Sequence, residues 1–157
     1  MATSTLIQYL ETEQFSAFPG GAAVPVGGAV SHRSQKETFI SGGAITAGEW
    51  VAYDLSASGS EKVLTVIQAA AVAAGNTLVA GVAIQSATGA GEKVEVVTSG
   101  FVSGASVTTG VAAGARLVVD TTAGRGDAAA AGEIPCGVAL TLAAANIADV
   151  LVVKYGL

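Results

Sequence analysis

Soft metal ligands and catalytic bases are almost missing from this chain, which holds one cysteine, Cys136, and one histidine, His32, in 157 residues. One cysteine excludes an internal disulfide, and with a single histidine it leaves no cluster of the usual soft metal ligands. A nucleophilic triad needs a base beside Ser or Cys. His32 instead stands next to Arg33 in a Gly/Ala-rich stretch, outside the strand-rich remainder of the chain. Cys136 lies in "EIPCGVAL", amid apolar neighbours, where a free thiol behaves as a small hydrophobe. No catalytic residue, metal ligand or cofactor is expected.

Basic charge is equally scarce. Seven Lys and Arg stand against twelve Asp and Glu, for a formal net charge of −5, and the basic residues are scattered singly. Nucleic-acid binding needs a basic footprint to release counterions from phosphate, so that class of partner is not expected. Charged residues make up 12% of the chain, against about 25% in an average soluble protein. That leaves little charge to cover a free-standing monomer. Mean hydropathy is +0.60, yet no run approaches the ~20 apolar residues of a spanning helix. The charge-free stretch Val63 to Gly91 is broken by Gln68, Gly75, Asn76, Thr77, Gly81 and Gln85. No membrane partner is expected. The opening "MATSTLIQYLETEQF" carries Glu11 and Glu13 and does not read as a secretory signal.

What is present falls into an arm, residues 1–36, and a β body, residues 37–157. The arm opens with a predicted short helix, Ser4 to Gln14, with Leu6, Ile7 and Leu10 on one side. It continues as "FSAFPGGAAVPVGGAV", where Pro19, Pro25 and two Gly-Gly pairs favour an extended, irregular path. Phe15 and Phe18 have no evident core of their own, and exposed aromatics on such a segment commonly anchor interfaces. From Glu37 onward come "ETFISGG", "EWVAYDL", "KVLTVIQA", "TLVAGVAIQSA", "EKVEVVTSGFV", "ARLVVDT", "IPCGVALTL" and "ADVLVVKYG". These short runs of Val, Ile, Leu and Thr between Gly/Ser/Ala turns read as an all-β sandwich or barrel. "QAAAVAAG", residues 68–75, reads as a loop or one helical turn.

The body also repeats itself. "SGGAITAGEWVAYDLSASG" lies over "GVAAGARLVVDTTAG" with Gly48 on Gly114 and Asp54 on Asp120, an offset of 66. "GVAIQSATGAGEKVEVVTSG" lies over "GVALTLAAANIADVLVVKYG" with Gly81 on Gly137, Val94 on Val150 and Gly100 on Gly156, an offset of 56. The phrases read as turn–strand–turn units belonging to two related halves, with Gly48, Asp54, Gly81, Gly114, Asp120 and Gly137 as structural turn positions. Alternation puts Trp50 and Ala52 on one face of their strand and Val51 and Tyr53 on the other.

Motifs that could carry chemistry are thin. "GAGEK", residues 89–93, lacks the full phosphate-loop pattern and reads as a hairpin turn. "RGD", Arg125 to Asp127, matches the integrin tripeptide and reads as a polar loop tip. Asp54, Asp120, Asp127, Glu133 and Asp149 all fall beside predicted turns, and nothing singles out an acid/base pair.

"SHRSQKETFISGGAITAGEWVAYD", then "GVAI" and "VEVVTSGFV", then "VAAGARLVVDTTAG" and the closing "GVALTLAAANIADVLVVKY" resemble the head-decoration, or cement, proteins of tailed bacteriophages. The resemblance covers residues 31–157 and implies a compact β-tulip or β-clip-like domain that assembles as a homotrimer. It implies a place on the outer capsid surface, at three-fold and quasi-three-fold positions, where the trimers brace the expanded shell. It also implies an arm lying along the major capsid protein, here through Phe15, Phe18, Pro19, Val24, Val26 and Arg33. This arm is longer and richer in Gly and Ala than in the simplest members. Two other readings stand beside this one: another virion part, such as a tail or fibre-base subunit, and a β-clip-like carbohydrate-binding module using Trp50 and Tyr53.

Overall fold

A computed structural model describes residues 34–70 and 78–153, without the side chains of Ser60 and Lys62. The arm positions Phe15, Phe18, Pro19, Val24, Val26 and Arg33 lie outside the described residues, as do His32, the predicted helix and most of "QAAAVAAG". The described chain is all-β, as composition and patterning predict. Its strands are β1 Gln35–Ser41, β2 Trp50–Tyr53, β3 Thr65–Gln68, β4 Val79–Ala83, β5 Lys93–Ser106, β6 Arg116–Val119, β7 Gly126–Ala128, β8 Gly137–Ala139 and β9 Ile147–Val152. A 3-10 turn, Gly59–Val63, precedes β3. Gln35 and Lys36, read with the arm, belong to β1.

Five strands close a barrel in the order β1-β3-β2-β4-β5, because β5 pairs back antiparallel onto β1. The β1–β3 contact is parallel and the other pairings in the barrel are antiparallel. Its core holds Phe39, Ile45, Val51, Val66, Ala80, Ala83, Ala87, Val94 and Val96, with Tyr53 packed against it. Phe39 and Tyr53 meet edge to face at 5.8 Å, the arrangement that aromatic quadrupoles favour.

β5 is 14 residues long and serves two neighbourhoods. Its first half closes the barrel against β1 and β4, and its second half pairs with β9, beyond which come β8, β6 and β7. A single parallel bridge, Val107 to Gly126, brings the end of β5 to β7. The side chains change cores along the strand: Val94 and Val96 lie in the first, Val102 and Ala105 in the second. A register shift between Val102 and Ala105, with Gly104 at φ +74, accommodates the change, as a bulge does in a bent strand.

The registers of the two regions correspond. Adding 66 to β2 positions and 60 to β3 positions turns Val51↔Gln68, Ala52↔Ile67 and Tyr53↔Val66 into Leu117↔Ala128, Val118↔Asp127 and Val119↔Gly126. Adding 66 and 56 turns Trp50↔Val82 and Val51↔Gly81 into Arg116↔Val138 and Leu117↔Gly137. The β4–β5 pairs Val82↔Val97 and Ala83↔Val96 map onto Val138↔Leu151 and Ala139↔Val150 with an offset of 54 for β5. That last offset departs from the sequence alignment: Val96, not Val94, corresponds to Val150, because the β8–β9 connection is two residues shorter than the β4–β5 one. Gly156 lies outside the described residues.

Trp50 joins the two cores. It is fully buried, and although it belongs to the barrel strand β2 it packs in the second cluster with Ala52, Val82 and Val97. Val51, its neighbour, points into the first cluster, as strand alternation predicts. The indole Nε1–H donates to the Ser106 carbonyl at 3.1 Å. A Cβ added at Gly126 would stand 2.9 Å from Nε1, and one at Gly137 would stand 2.8 Å from Cη2. Corresponding core positions shrink around it: Phe39, Val66 and Val94 have Ala105, Gly126 and Ala148 as their counterparts. The indole occupies volume that those smaller residues leave, which keeps the second core close-packed.

Trp50→Ala is expected to destabilise the fold by about 3–5 kcal/mol, as truncations of buried aromatic side chains do, measured by urea denaturation. As the chain's one tryptophan, Trp50 should also fluoresce with blue-shifted emission and resist iodide quenching until the protein unfolds. Red-shifted, freely quenched emission from the native protein would contradict this packing.

Candidate interaction surface

Gly48 and Gly114 sit at φ +94 and +84, just before β2 and β6, a backbone region that costs glycine little. Their amides make the same bond, Gly48 N–H to Ala83 O and Gly114 N–H to Ala139 O, each at 2.7 Å. Asp54 and Asp120 follow β2 and β6. Gly81 and Gly137 need correcting: neither is a turn residue. Gly81 is in the middle of β4, where a Cβ would lie 2.0 Å from the Val97 carbonyl, and Gly137 opens β8, where a Cβ would lie 2.8 Å from the Leu151 carbonyl. Close backbone approach selects glycine at both.

The carboxylates are engaged locally. Asp54 accepts from the Ser56 amide at 2.9 Å and hydroxyl at 2.6 Å, and the Ser56 hydroxyl is the chief cause holding its pKa below the usual range. Asp127 accepts from the Ala128 amide and Glu133 from the Ala130 amide. Asp149 bridges to β5, accepting from the Ser103 hydroxyl at 2.7 Å. Asp120 pairs with Arg125, whose Nε–H donates at 2.6 Å. Burial alone would raise the Asp120 pKa, but bonds from Arg125 and Thr121 outweigh it and hold the group low. Among the described residues, no three His, Cys, Asp or Glu side chains are placed to hold a metal ion, and no helix is long and apolar enough to cross a membrane.

Two motif readings change. "RGD" is not a presented loop tip: Arg125 is tied to Asp120, Gly126 is buried in β7 against Trp50, and Asp127 bonds its own strand. Trp50, a candidate sugar-stacking residue, has no exposed surface, and Tyr53 packs on the barrel core. Cys136 is largely buried, its thiol pointing to the Leu117 carbonyl, and burial pushes its pKa up to about 12. The "GAGEK" segment is a turn between β4 and β5.

What the surface offers is apolar. Along the outward side of the second sheet, Phe101 on β5, Leu151 on β9, Val138 on β8 and Arg116 on β6 form one cross-strand row. Leu151 and Leu140 are 39% and 44% exposed, and Leu142 and Ile147 nearby are 63% and 54% exposed. Asp149 interrupts these apolar positions, standing between Ile147 and Leu151 on the same side of β9 and opposite Leu140. Groups of exposed hydrophobes can mark interaction sites in soluble proteins, whereas single ones need no explanation. Sequence reading missed this group, because "GVAL" and "VLVV" do not reveal which side of a sheet is covered. A smaller group, Ile40, Val63 and Leu64, lies where β1 meets the segment before β3, with the Ile40 amide bonded to the Leu64 carbonyl.

The chain matches no protein-family model and no curated protein.

Two outcomes follow from this chemistry. The Cys136 thiol should stay unmodified by iodoacetamide at pH 8 in native protein and react fully in urea; rapid native labelling would contradict its burial. Because Asp120 is held low, its contribution is complete above the unfolded value near 3.9 and is lost as pH falls through its lower folded value. Asp120→Asn should therefore cost about 1–2 kcal/mol at pH 7 and little at pH 2. Denaturation curves with the same deficit at both pH values would contradict the pairing.

Proposed function

We propose that this chain is a structural virion protein without catalytic activity, a head-decoration subunit of a tailed bacteriophage. In this reading it binds the outer surface of the expanded capsid as a homotrimer, at three-fold and quasi-three-fold positions, and stabilises the shell. Its partners are the major capsid protein and its own copies. The observation that carries the reading is the division of labour among side chains in the β body. Carboxylates cap turns and brace strands, while apolar residues of β8 and β9 stand uncovered on a chain with only 12% charged residues. Obligate interfaces are more apolar than ordinary surface, and this balance suits a part that buries itself against copies.

The body, in the same reading, is β-tulip or β-clip-like and made of two related halves that share β5. The matching registers support this, and so do the core positions: Ile45, Val51, Ala83, Ala87 and Val96 correspond to Val111, Leu117, Ala139, Ala143 and Val150, all buried. The arm contacts the capsid through Phe15, Phe18, Pro19, Val24, Val26 and Arg33. An extended segment can gain affinity there by adding a strand, since backbone hydrogen bonds need little sequence specificity.

The test is co-sedimentation with expanded, undecorated capsids of the encoding phage, comparing the full chain with its Phe15→Asp/Phe18→Asp variant. Saturable pelleting of the full chain, weakened about tenfold or more in the variant, is expected if aromatic anchors dominate the contact. Equal pelleting of both would move the contact to the β body. If neither pellets, the decoration reading fails and a tail or fibre-base part takes its place.

A further inference from the structure

We infer that the Ile40–Leu64 backbone bond seals the first half against strand insertion. It closes there a seam that stands open in the second half, where the segment Gly48–Trp50 fills it.

The two seams are equivalent by register. The parallel pair Ser41↔Val66 has Val107↔Gly126 as its counterpart. The flanking bonds agree, since the Gly42 amide reaches the Val66 carbonyl and the Thr108 amide reaches the Gly126 carbonyl, each at 2.8 Å. The antiparallel pairs Phe39↔Val94 and Ala105↔Ala148 continue the match. Ile40 and Leu64 therefore correspond to Ser106 and Gly124. In the first half the Ile40 amide donates to the Leu64 carbonyl at 2.8 Å. In the second half the Ser106 amide donates instead to the Gly48 carbonyl at 2.7 Å, and the Gly124 carbonyl accepts from the Trp50 amide at 2.9 Å. One direct bond has given way to two, with a segment of the first half lying between.

Sequence differences account for the two states. The link after β2 joins Asp54 to Thr65, and the link after β6 joins Asp120 to Arg125; the same amide-to-carbonyl bond closes each, at 2.9 and 2.8 Å. Residues 55–64 fill the first link and only residues 121–124 the second. The longer link folds on itself through bonds from the Ser56 amide to Asp54, Glu61 to Ser58 and Leu64 to Glu61, and it ends with the Leu64 carbonyl facing β1. Gly124 has φ +75, a backbone state open to glycine, and turns its carbonyl to Trp50. The side chains beneath agree. Ala105, Gly126 and Ala148 leave room that Trp50 fills, whereas Phe39, Val66 and Val94 fill the corresponding room themselves. Ile40, Val63 and Leu64 stay exposed over the seam, so the bond and the filled core close it rather than a polar cover.

An unpaired strand edge is a template for another chain, and covering it with a loop is one way in which proteins prevent that pairing. Terminal units of stacked repeats are closed for a similar reason. The first half is thus a terminal unit, onto which no further copy can repeat the contact that joins the two halves. The inference rests on the reading of the body as two related halves and is independent of the capsid.

The test removes residues 56–61, which shortens the link to the length of its counterpart, and follows amide hydrogen exchange and sedimentation equilibrium of the full chain. Exchange of the Ile40 amide should quicken by about tenfold or more as its acceptor is lost, while the Gly42 amide stays protected. The variant should also form larger species than the unmodified chain. Retained protection of Ile40, or lost protection with no gain in mass, overturns the inference. Should red-shifted Trp50 emission show that the variant has not folded, the unmodified chain decides. Its Ile40 amide should be equally protected at low and high concentration, and hydroxyl-radical labelling of Val63 and Leu64 should hold constant. An unprotected Ile40 amide, or protection or labelling that changes with concentration, overturns the seal. Capsid pelleting of the unmodified chain reports on the decoration reading separately, and either result there leaves the seal standing.

Discussion

One indole holds the two regions of this protein together. Trp50 leaves the barrel on the outward side of β2 and fills space above Gly126 and Gly137, with its ring N–H satisfied by the Ser106 carbonyl. Its burial requires the absence of a Cβ at those two positions, within a core that also holds Ala105 and Ala148. It also requires the backbone path by which the Trp50 amide reaches the Gly124 carbonyl and the Ser106 amide reaches the Gly48 carbonyl. A polar residue at position 50 would leave a void in the second core and expose apolar surface from both regions. The regions are therefore expected to share their stability and to unfold together, as small single domains usually do.

The second linking element is β5, which passes from one core to the other without a connecting loop. A continuous strand fixes the spacing and twist between the regions, so the outward row Phe101, Leu151, Val138 and Arg116 is presented on a rigid sheet. The carboxylates complement this arrangement. Asp54 and Asp120 order the turns after β2 and β6, and Asp149 ties β9 to the bulged part of β5.

Much of the strand pattern could be read from the chain. Alternation placed Trp50 and Ala52 on one face of their strand and Val51 and Tyr53 on the other, and the recurrence of Gly48 and Asp54 at Gly114 and Asp120 marked similar turns before and after β2 and β6. β7 escaped notice because "GDA" is three residues long, has no β-branched side chain and sits under a tripeptide familiar as a loop motif. Gly81 and Gly137 read as turns because glycine alone does not distinguish a turn from a strand position that meets a close carbonyl across the sheet, and Gly81 combines that approach with φ +153 inside β4. The two-residue slip between β5 and β9 was hidden by alternating Val and Ala, which fit either offset. Hardest to foresee was Trp50, since the same alternation that points it out of the barrel also predicts solvent there. Only the fold brings a second core to meet it, and the uncovered face of β8 and β9 has the same origin.

The most direct test of the functional account is a cryo-electron microscopy reconstruction of expanded capsids incubated with the full chain. The account predicts density for the β body on the outer surface, three copies around each three-fold position. Density confined to the tail, or single copies away from the three-fold positions, would contradict it.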